Sequence, residues 1–376
     1  MKFVVSSIEL LNHLQAISRV ISTKNTLPIL DNFLFELEGK ELKITASDLE
    51  STMITELSLP NSSEPGSIAI PGRLLLDTLK EFSDQPLTFD INLTSLAVVI
   101  SSENGKFSIV GQNSSDFPQL PAIKKDKKGR VVMTPDLLLS GINKTIFATA
   151  DDELRPVMNG IFVELSEKDI TFVASDAHKL VRYKRSDAKS SVVASFILPK
   201  KPASLLKNIL PKEEGEVTLE FDDKNAFFGM ANYQMICRLV EGNYPSYSAV
   251  IPTKNPNKLT IDRLELYNSL RRVSVFANQA SNLVKLQLAG NQVTISAQDI
   301  DFSISAYERL NCNYEGDDME IGFKSTFLLE ILSNISASDV MLELSDPTRA
   351  GLILPAVKDN EQEDVLMLLM PMMIGA

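Results

Sequence analysis

Three stretches of the chain carry the same order of apolar and polar positions. FVVSSIELLNHLQAIS begins at Phe3, VVMTPDLLLSGINKTI at Val131 and LTIDRLELYNSLRRVS at Leu259, so successive starts lie 128 residues apart. In that register Val5, Met133 and Ile261 coincide, as do Leu10, Leu138 and Leu266, then Leu14, Ile142 and Leu270. A short apolar strand, a polar turn and an apolar stripe four residues apart predict a strand followed by an amphipathic helix. Repeats at a fixed spacing constrain the whole architecture, because each copy must build the same local structure.

Two further markers recur in the same order. LKITASDLESTMITEL, ITFVASDAHKLVRYKR and VTISAQDIDFSISAYE each alternate, turn at an aspartate (Asp48, Asp176, Asp299) and alternate again, which predicts three β-hairpin corners. IAIPGRLLLDTLKEF, FILPKKPASLLKNIL and EIGFKSTFLLEILSNI each read as a strand, a break at Pro71, Pro199 or Gly322, and a second amphipathic helix. Each third then holds a β-α-β-β-β unit twice, with boundaries placed at 1–125, 126–253 and 254–376. PAIKKDKKGR at 121–130 and IPTKNPNK at 251–258 read as linkers.

The corner VASDAHKL brings Ser175, Asp176 and His178 within four positions. Alternation along a hairpin sends neighbouring side chains to opposite faces, so adjacent Ser175 and Asp176 do not converge as a nucleophile and its orienting acid do. No G-x-S-x-G elbow accompanies them. Three equivalent aspartates on separate thirds cannot meet on one metal ion either, and the Asp151-Asp152-Glu153 run reads as a solvated loop. Catalytic residues, metal and cofactor are therefore all expected to be absent, and the protein is read as a non-enzyme.

A β-α-β-β-β unit must bury one face of its strands against its helix, which predicts an α+β class of two-layer domains with all helices on one side. Six units joined head to tail make a crescent or a ring, helices inside and sheets outside. Charge bears on this. The chain has a formal net charge of −12, yet the six predicted helices, at 8–24, 72–82, 136–148, 200–210, 262–277 and 323–335, sum to +5, leaving −17 elsewhere. An acidic exterior with a weakly basic lining suits duplex DNA held without sequence readout. Arg73, Lys201 and Lys324 follow the three breaks by two residues, and with Lys24, Lys200, Arg271 and Arg272 they are candidate phosphate contacts.

With 376 residues the chain exceeds one ordinary domain. Cys237 and Cys312 lie 75 residues apart with no CxxC, which indicates neither a disulfide framework nor a zinc site. The opening MKFVVSSIELLNHL lacks the uninterrupted apolar core of a signal peptide, and no apolar run is long enough to span a bilayer, so a cytoplasmic protein without membrane association is expected.

Several stretches resemble the bacterial DNA polymerase III beta subunit, the replicative sliding clamp: MKF with LLNHLQAIS, TLPIL at 26–30, SDLE at 47–50, DFPQL at 116–120, RPVMNG at 155–160, VASDAHKL, LVEGNYPSY at 239–247, NPNK, EIGF at 320–323 and LLMPMMI at the end. Their order and spacing cover essentially the whole chain. The resemblance implies three tandem clamp domains, a head-to-tail homodimer closing a ring around duplex DNA, and a tether for the DNA polymerase III catalytic subunit, loaded by a separate ATP-dependent clamp loader. No GxxxxGK[ST] loop occurs here.

By position, the family's groove for short partner peptides carries over to Met158, Ser175, Ala177, His178, Lys179, Leu180, Pro245, Val250, Met370, Pro371 and Met372, with His178 and Lys179 at its rim. Methionines offer adaptable apolar surface to several partners. Past Leu369 the tail is expected to leave the ladder, with Gly375 and Ala376 frayed. The subunit interface carries over to Phe107 and Ile109 on an edge strand and to Val275 and Phe276 at a helix end. The chain departs from some members at Pro156 and Val157, where they place aromatics after the loop arginine, here Arg155, a candidate DNA contact. It departs again at Ser248 and Ala249, where they place arginines. The competing reading is a peptide-binding scaffold that does not act on DNA.

Overall fold

Among the described residues, two of the six helices begin on a capping side chain that is followed three positions on by a glutamate. Ser6 accepts from the backbone of Glu9 at 3.3 Å and opens α1 (Ser7–Ser18), and Asp262 accepts from the backbone of Glu265 at 2.7 Å and opens α5 (Arg263–Ser274). Both are N-cap residues satisfying an otherwise unpaired N–H, each with a glutamate three positions on. The other helices are α2 (Gly72–Lys80), α3 (Pro135–Thr145), α4 (Lys200–Ile209) and α6 (Ser325–Ser333). This computed structural model describes every residue except 23, 24, 26, 63, 121–128, 375 and 376. Most of the first linker and the two tail residues expected to fray fall outside the described residues.

The strands follow the order expected from the repeats. The first third contains β1 (Lys2–Ser6), β2 (Asn32–Glu38), β3 (Glu41–Ser47), β4 (Ser51–Ser58), β5 (Asn61–Ser62), β6 (Gly66–Pro71), β7 (Pro86–Asn92), β8 (Ala97–Ser101) and β9 (Lys106–Val110). The middle third contains β10 (Gly129–Met133), β11 (Gly160–Leu165), β12 (Ile170–Ser175), β13 (Lys179–Arg185), β14 (Ala194–Pro199), β15 (Val217–Phe221), β16 (Asn225–Gly229) and β17 (Tyr233–Arg238). The last contains β18 (Asn257–Asp262), β19 (Leu283–Ala289), β20 (Gln292–Asp299), β21 (Ile304–Asn311), β22 (Asn313–Glu315), β23 (Met319–Lys324), β24 (Asp339–Leu344), β25 (Gly351–Pro355) and β26 (Glu363–Leu369). Apart from the short β5 and β22, this is the β-α-β-β-β unit six times over.

The chain divides into two compact units, Met1–Leu139 with Ser204–Leu239, and Ser140–Ala203 with Val240–Ala376. The first unit has a five-stranded sheet, β5-β1-β7-β8-β9, and an eight-stranded sheet, β10-β15-β16-β17-β4-β3-β2-β6. In the larger sheet β17 pairs antiparallel with β4, Cys237 opposite Ser51, so strands from two thirds share one ladder. Helices α1 and α2 pack together over a core that includes stacked Phe3 and Phe89, with ring centroids 4.9 Å apart.

The second unit has a nine-stranded sheet, β14-β11-β12-β13-β26-β25-β24-β18-β22, and a four-stranded sheet, β21-β20-β19-β23. Here β13 pairs with β26 from Lys179 opposite Leu369 to Arg185 opposite Glu363. Its core gathers Leu266, Leu270, Leu328, Ile331 and Leu332 from α5 and α6 under Val181, Met367 and Leu369 of the sheet. Gly141 of α3 lies where an added Cβ would come within 2.5 Å of the Phe172 ring, so glycine lets helix and strand touch.

Candidate functional site

The corner between β12 and β13 is built by its own polar side chains. The Asp176 carboxylate accepts from the backbone N–H groups of His178 at 2.9 Å and Lys179 at 2.8 Å. Ser175 Oγ donates to the Lys179 carbonyl at 2.9 Å and accepts from Ala177 N–H at 3.2 Å. Ala177 closes the turn with φ of 75°, a left-handed conformation. Ser175 and Asp176 are thus occupied in holding a turn, which is the answer the sequence asked for. Asp48 does the same for Glu50 and Ser51, and Asp299 for Asp301 and Phe302. Among the described residues no group of three or more His, Cys, Asp or Glu side chains could hold a metal ion.

Strand alternation then sorts the corner's side chains onto two faces. Leu180 packs with Val173, Leu352, Leu366 and Leu368 on one face of the nine-stranded sheet, flanked by Phe162, Tyr244, Tyr247 and Ile251. Tyr244 stacks on Phe162 at 4.7 Å with rings 3° from parallel, and Tyr247 hydroxyl bonds Glu164, so the 244–251 segment is pinned to this face. Burial raises the pKa of both tyrosines well above the usual phenol range. Leu180 itself is buried, so it offers little side-chain surface to a partner.

Lys179 departs from the expectation. As the neighbour of Leu180 on β13 it points to the opposite face, where it is only 5% exposed, bonded to Asp176 at 2.7 Å and Glu330 at 3.1 Å. Its ammonium also lies 4.4 Å from the Phe327 ring centroid. It belongs under the corner and not at a groove rim. His178 is exposed, with its ring 5.8 Å from Phe327.

The tail joins this corner through the backbone. Met370 N–H donates to the His178 carbonyl and Met372 N–H to the Gly322 carbonyl, each at 2.8 Å, so the chain leaves β26 and bridges to β23. Met370 is exposed, Pro371 and Met372 are half-buried, Met158 is half-buried, and Pro245 and Val250 are exposed. Corner and tail are therefore brought together, with Met370 on the Leu180 side by alternation from Leu368.

The same main-chain frame occurs in the first unit. Ser47 Oγ donates to the Ser51 carbonyl at 3.2 Å and accepts from Leu49 N–H at 3.2 Å, Leu49 has φ of 78°, and Arg238 N–H donates to the Glu50 carbonyl at 2.8 Å. What differs is the chemistry. Thr52 pairs with Ile236 where Leu180 pairs with Leu368, and Glu50 and Arg238 stand where His178 and Met370 stand. The apolar cluster around Leu180 thus has no counterpart at the first corner, where Thr52 faces Ile236.

The candidate cations are placed unequally. Arg73, in the first turn of α2, has a side chain 97% exposed, its nearest carboxylate Asp77 at 3.9 Å. Lys200 opens α4 and pairs with Asp151 at 2.6 Å; Lys201 beside it is exposed. Arg155 pairs with Asp152 at 2.8 Å and so braces its own loop. Lys24 lies outside the described residues. Lys324 is not in register with Arg73 and Lys201. It is the last residue of β23, opposite Leu283, as Pro71 ends β6 opposite Asn32 and Pro199 ends β14 opposite Gly160. Gly322 sits inside the strand, so the helix starts after the lysine, whose ammonium lies 4.7 Å from the Phe327 ring centroid.

Two sheet edges carry the remaining candidates. β9 is an edge strand of the five-stranded sheet, where Phe107 is exposed and meets Phe82 edge-on at 5.2 Å. Ile109, two residues on, is only 7% exposed and serves the core of its own sheet, so it offers little side-chain surface to a partner. Val275 and Phe276 follow α5, the former 74% exposed. β21 is an edge of the four-stranded sheet, and Ile304 and Tyr307 on it are exposed, as are Ile300 and Phe302 before it.

Comparison with known families matches three consecutive models described as DNA polymerase III beta subunit: the N-terminal domain at 1–121, the central domain at 133–246 and the C-terminal domain at 248–373. The chain belongs to the DNA polymerase III beta subunit family. The beta sliding clamp of Pseudomonas putida is 29% identical over 372 residues, covering 97% of this chain and 99% of that one. That of Staphylococcus aureus is 26% identical over 377 residues, covering 97% and 98%. The solved DNA polymerase III subunit beta of Pseudomonas aeruginosa superposes with a TM-score of 0.93 at 27% identity, and that of Thermotoga maritima with 0.91 at 26%, each over 100% of both chains.

Three residues central to the site were not singled out from sequence. Phe327 gathers Lys179, Lys324 and His178 around one ring, and Phe162 with Tyr244 roofs the Leu180 face. Tyr244 stood in a quoted motif, but nothing in the strand alternation around Phe162 marks it as its stacking partner. Phe327 reads in sequence as one more apolar helix residue.

Proposed function

We propose that this chain is a sliding clamp: two copies close head to tail around duplex DNA, and the groove beside Leu180 and Met370 holds linear peptides of the replicative polymerase and other DNA-processing proteins. The observation that carries the reading is the tandem order of three family domains spanning 1–121, 133–246 and 248–373. Phe107 with edge strand β9 in one copy, and Val275, Phe276 and edge strand β21 in the other, support the closure. An unpaired sheet edge is a liability until another strand covers it, and unlike edges meeting across a two-fold close a ring. The grip is topological and no reaction is catalysed. Arg73, Lys200, Lys201, Arg155, Lys324 and Lys24 meet phosphates without reading bases, and opening the ring falls to a separate ATP-dependent loader.

Retention on DNA tests this. Labelled protein is loaded with a family clamp loader and ATP onto nicked circular duplex, the salt is raised to about 0.5 M, and the circle is then linearised. Salt dissolves phosphate contacts but leaves a closed ring in place, so the expected result is retention on the circle and release on cutting. Loss in salt from circular and linear DNA alike overturns the clamp reading: it leaves ordinary charge-driven binding and reopens the scaffold and enzyme readings.

A further inference from the structure

Two of the candidate DNA cations have their carboxylate partners on one short loop. Lys200 Nζ lies 2.6 Å from the Asp151 carboxylate, and Arg155 Nε lies 2.8 Å from that of Asp152. The loop is held so that these pairs persist. Asn159 accepts from Asp152 N–H at 2.9 Å and donates to the Asp152 carbonyl at 3.0 Å, while its own carbonyl accepts from Lys200 N–H at 3.0 Å. Ala150 N–H donates to the Met158 carbonyl at 2.9 Å and closes the loop at its base. One residue, Asn159, thus ties the acidic loop to the first residue of α4, its side chain holding Asp152 and its main-chain carbonyl holding Lys200. Arg73, by contrast, projects 97% exposed with its nearest carboxylate at 3.9 Å.

We propose that Asp151 and Asp152 are built-in competitors of the DNA backbone: they hold Lys200 and Arg155 in ion pairs that duplex phosphates must displace, and so weaken the contact that this part of the chain makes with DNA. The inference rests on the clamp reading above, in which Lys200 and Arg155 face phosphates. Exposed ion pairs are individually weak, which makes the exchange easy to reverse and keeps the contact labile. A protein that must slide gains from cations that are present but pre-engaged. An unmasked cation would release a counterion at each phosphate and steepen the salt dependence.

The test uses the full chain, a short fluorescent linear duplex onto which it can thread, and anisotropy titrations at several salt concentrations. Asp151→Asn with Asp152→Asn preserves size and an acceptor oxygen; Lys200→Gln with Arg155→Gln removes the cations; the fourfold variant completes a double-mutant cycle. The expected result is binding tightened by about three- to tenfold in the asparagine variant, a log–log salt slope steeper by about 1–2, and no tightening once the cations are gone. Unchanged affinity in the asparagine variant, with weaker binding in the glutamine variant, overturns the masking and leaves the DNA contact standing. Equal tightening in both backgrounds also overturns it, since the carboxylates would then act through long-range charge. If the glutamine variant binds as the parent does, the assignment of Lys200 and Arg155 to DNA falls, and this inference with it. Melting temperatures of all variants distinguish these outcomes from misfolding.

Discussion

Ala177 and Leu49 both sit in the left-handed region at equivalent corners, with φ of 75° and 78°. An L-residue pays roughly 1–2 kcal/mol there, part of which glycine returns through unfolded-chain entropy. Ala177→Gly is expected to raise stability by about 0.5–1 kcal/mol, read as an increased urea midpoint at unchanged slope; a lower midpoint would refute it. His13 offers a pH test. Its ring contacts Thr55 Oγ1, which itself donates to the Asn232 carbonyl at 3.0 Å, so neutral His13 carries its proton on Nδ1. Burial lowers its pKa from the ordinary 6.5, against raising contributions from Glu9 and Glu213. The folded state then binds this proton less tightly than the unfolded chain. Its stabilising contribution is complete above about pH 6.5 and is lost as pH falls through that value toward the folded pKa. Calorimetric melting from pH 7.5 to 5 should decline more steeply for the parent than for His13→Gln. Parallel curves would count against it.

Elements were readable where periodicity and capping agree. The apolar stripes through Leu10 and Leu14 and through Leu266 and Leu270 predicted helices at 8–24 and 262–277, and the structure forms α1 and α5 there, starting them at the capping residues Ser6 and Asp262. Lys324 was misread because a glycine suggested a break, whereas Gly322 lies within β23 opposite Lys285, where its missing Cβ admits the Met372 backbone. Close packing of elements was invisible in the sequence: Gly141 looks like a helix weakness, yet its missing Cβ admits the Phe172 ring. Gly141→Ala is therefore expected to destabilise by roughly 1–3 kcal/mol through overpacking, although alanine is the better helix former. Chemical denaturation decides the sign. Lys179 ties the corner to α6 through Glu330. Replacing it with Met removes a buried charge from between Asp176 and Glu330, and should lower stability by about 2–3 kcal/mol, below the full cost of breaking a buried pair because Glu330 is partly solvated. On the proposed function, a fluorescent short linear peptide from the replicative polymerase should also bind this variant more weakly, since the corner loses its support.

At the scale of the molecule, the repeats foretold six units but not how strands from different thirds would join. The ladders β17 with β4 and β13 with β26 draw each compact unit from more than one third of the chain. Dimer closure is the prediction that belongs here. Val275→Asp with Phe276→Asp places charge on exposed apolar residues and is expected to shift the protein from dimer to monomer in sedimentation velocity, with each monomer still folded by circular dichroism. A dimer that survives both changes would move the interface elsewhere. No helix among the described residues is long and apolar enough to cross a membrane.

The sequence by itself determined what is local or periodic: six strand-helix units, three aspartate-held corners, an acidic surplus outside the helices and the family resemblance. Those features depend on residues a few positions apart, whose geometry the backbone dictates. Tertiary structure alone decided which face of β13 joined an apolar cluster and which became a buried ion pair, because alternation separates Leu180 from Lys179 without saying which side will be covered. That choice was made by Leu368 and Glu330, residues far along the chain that meet the corner only after collapse.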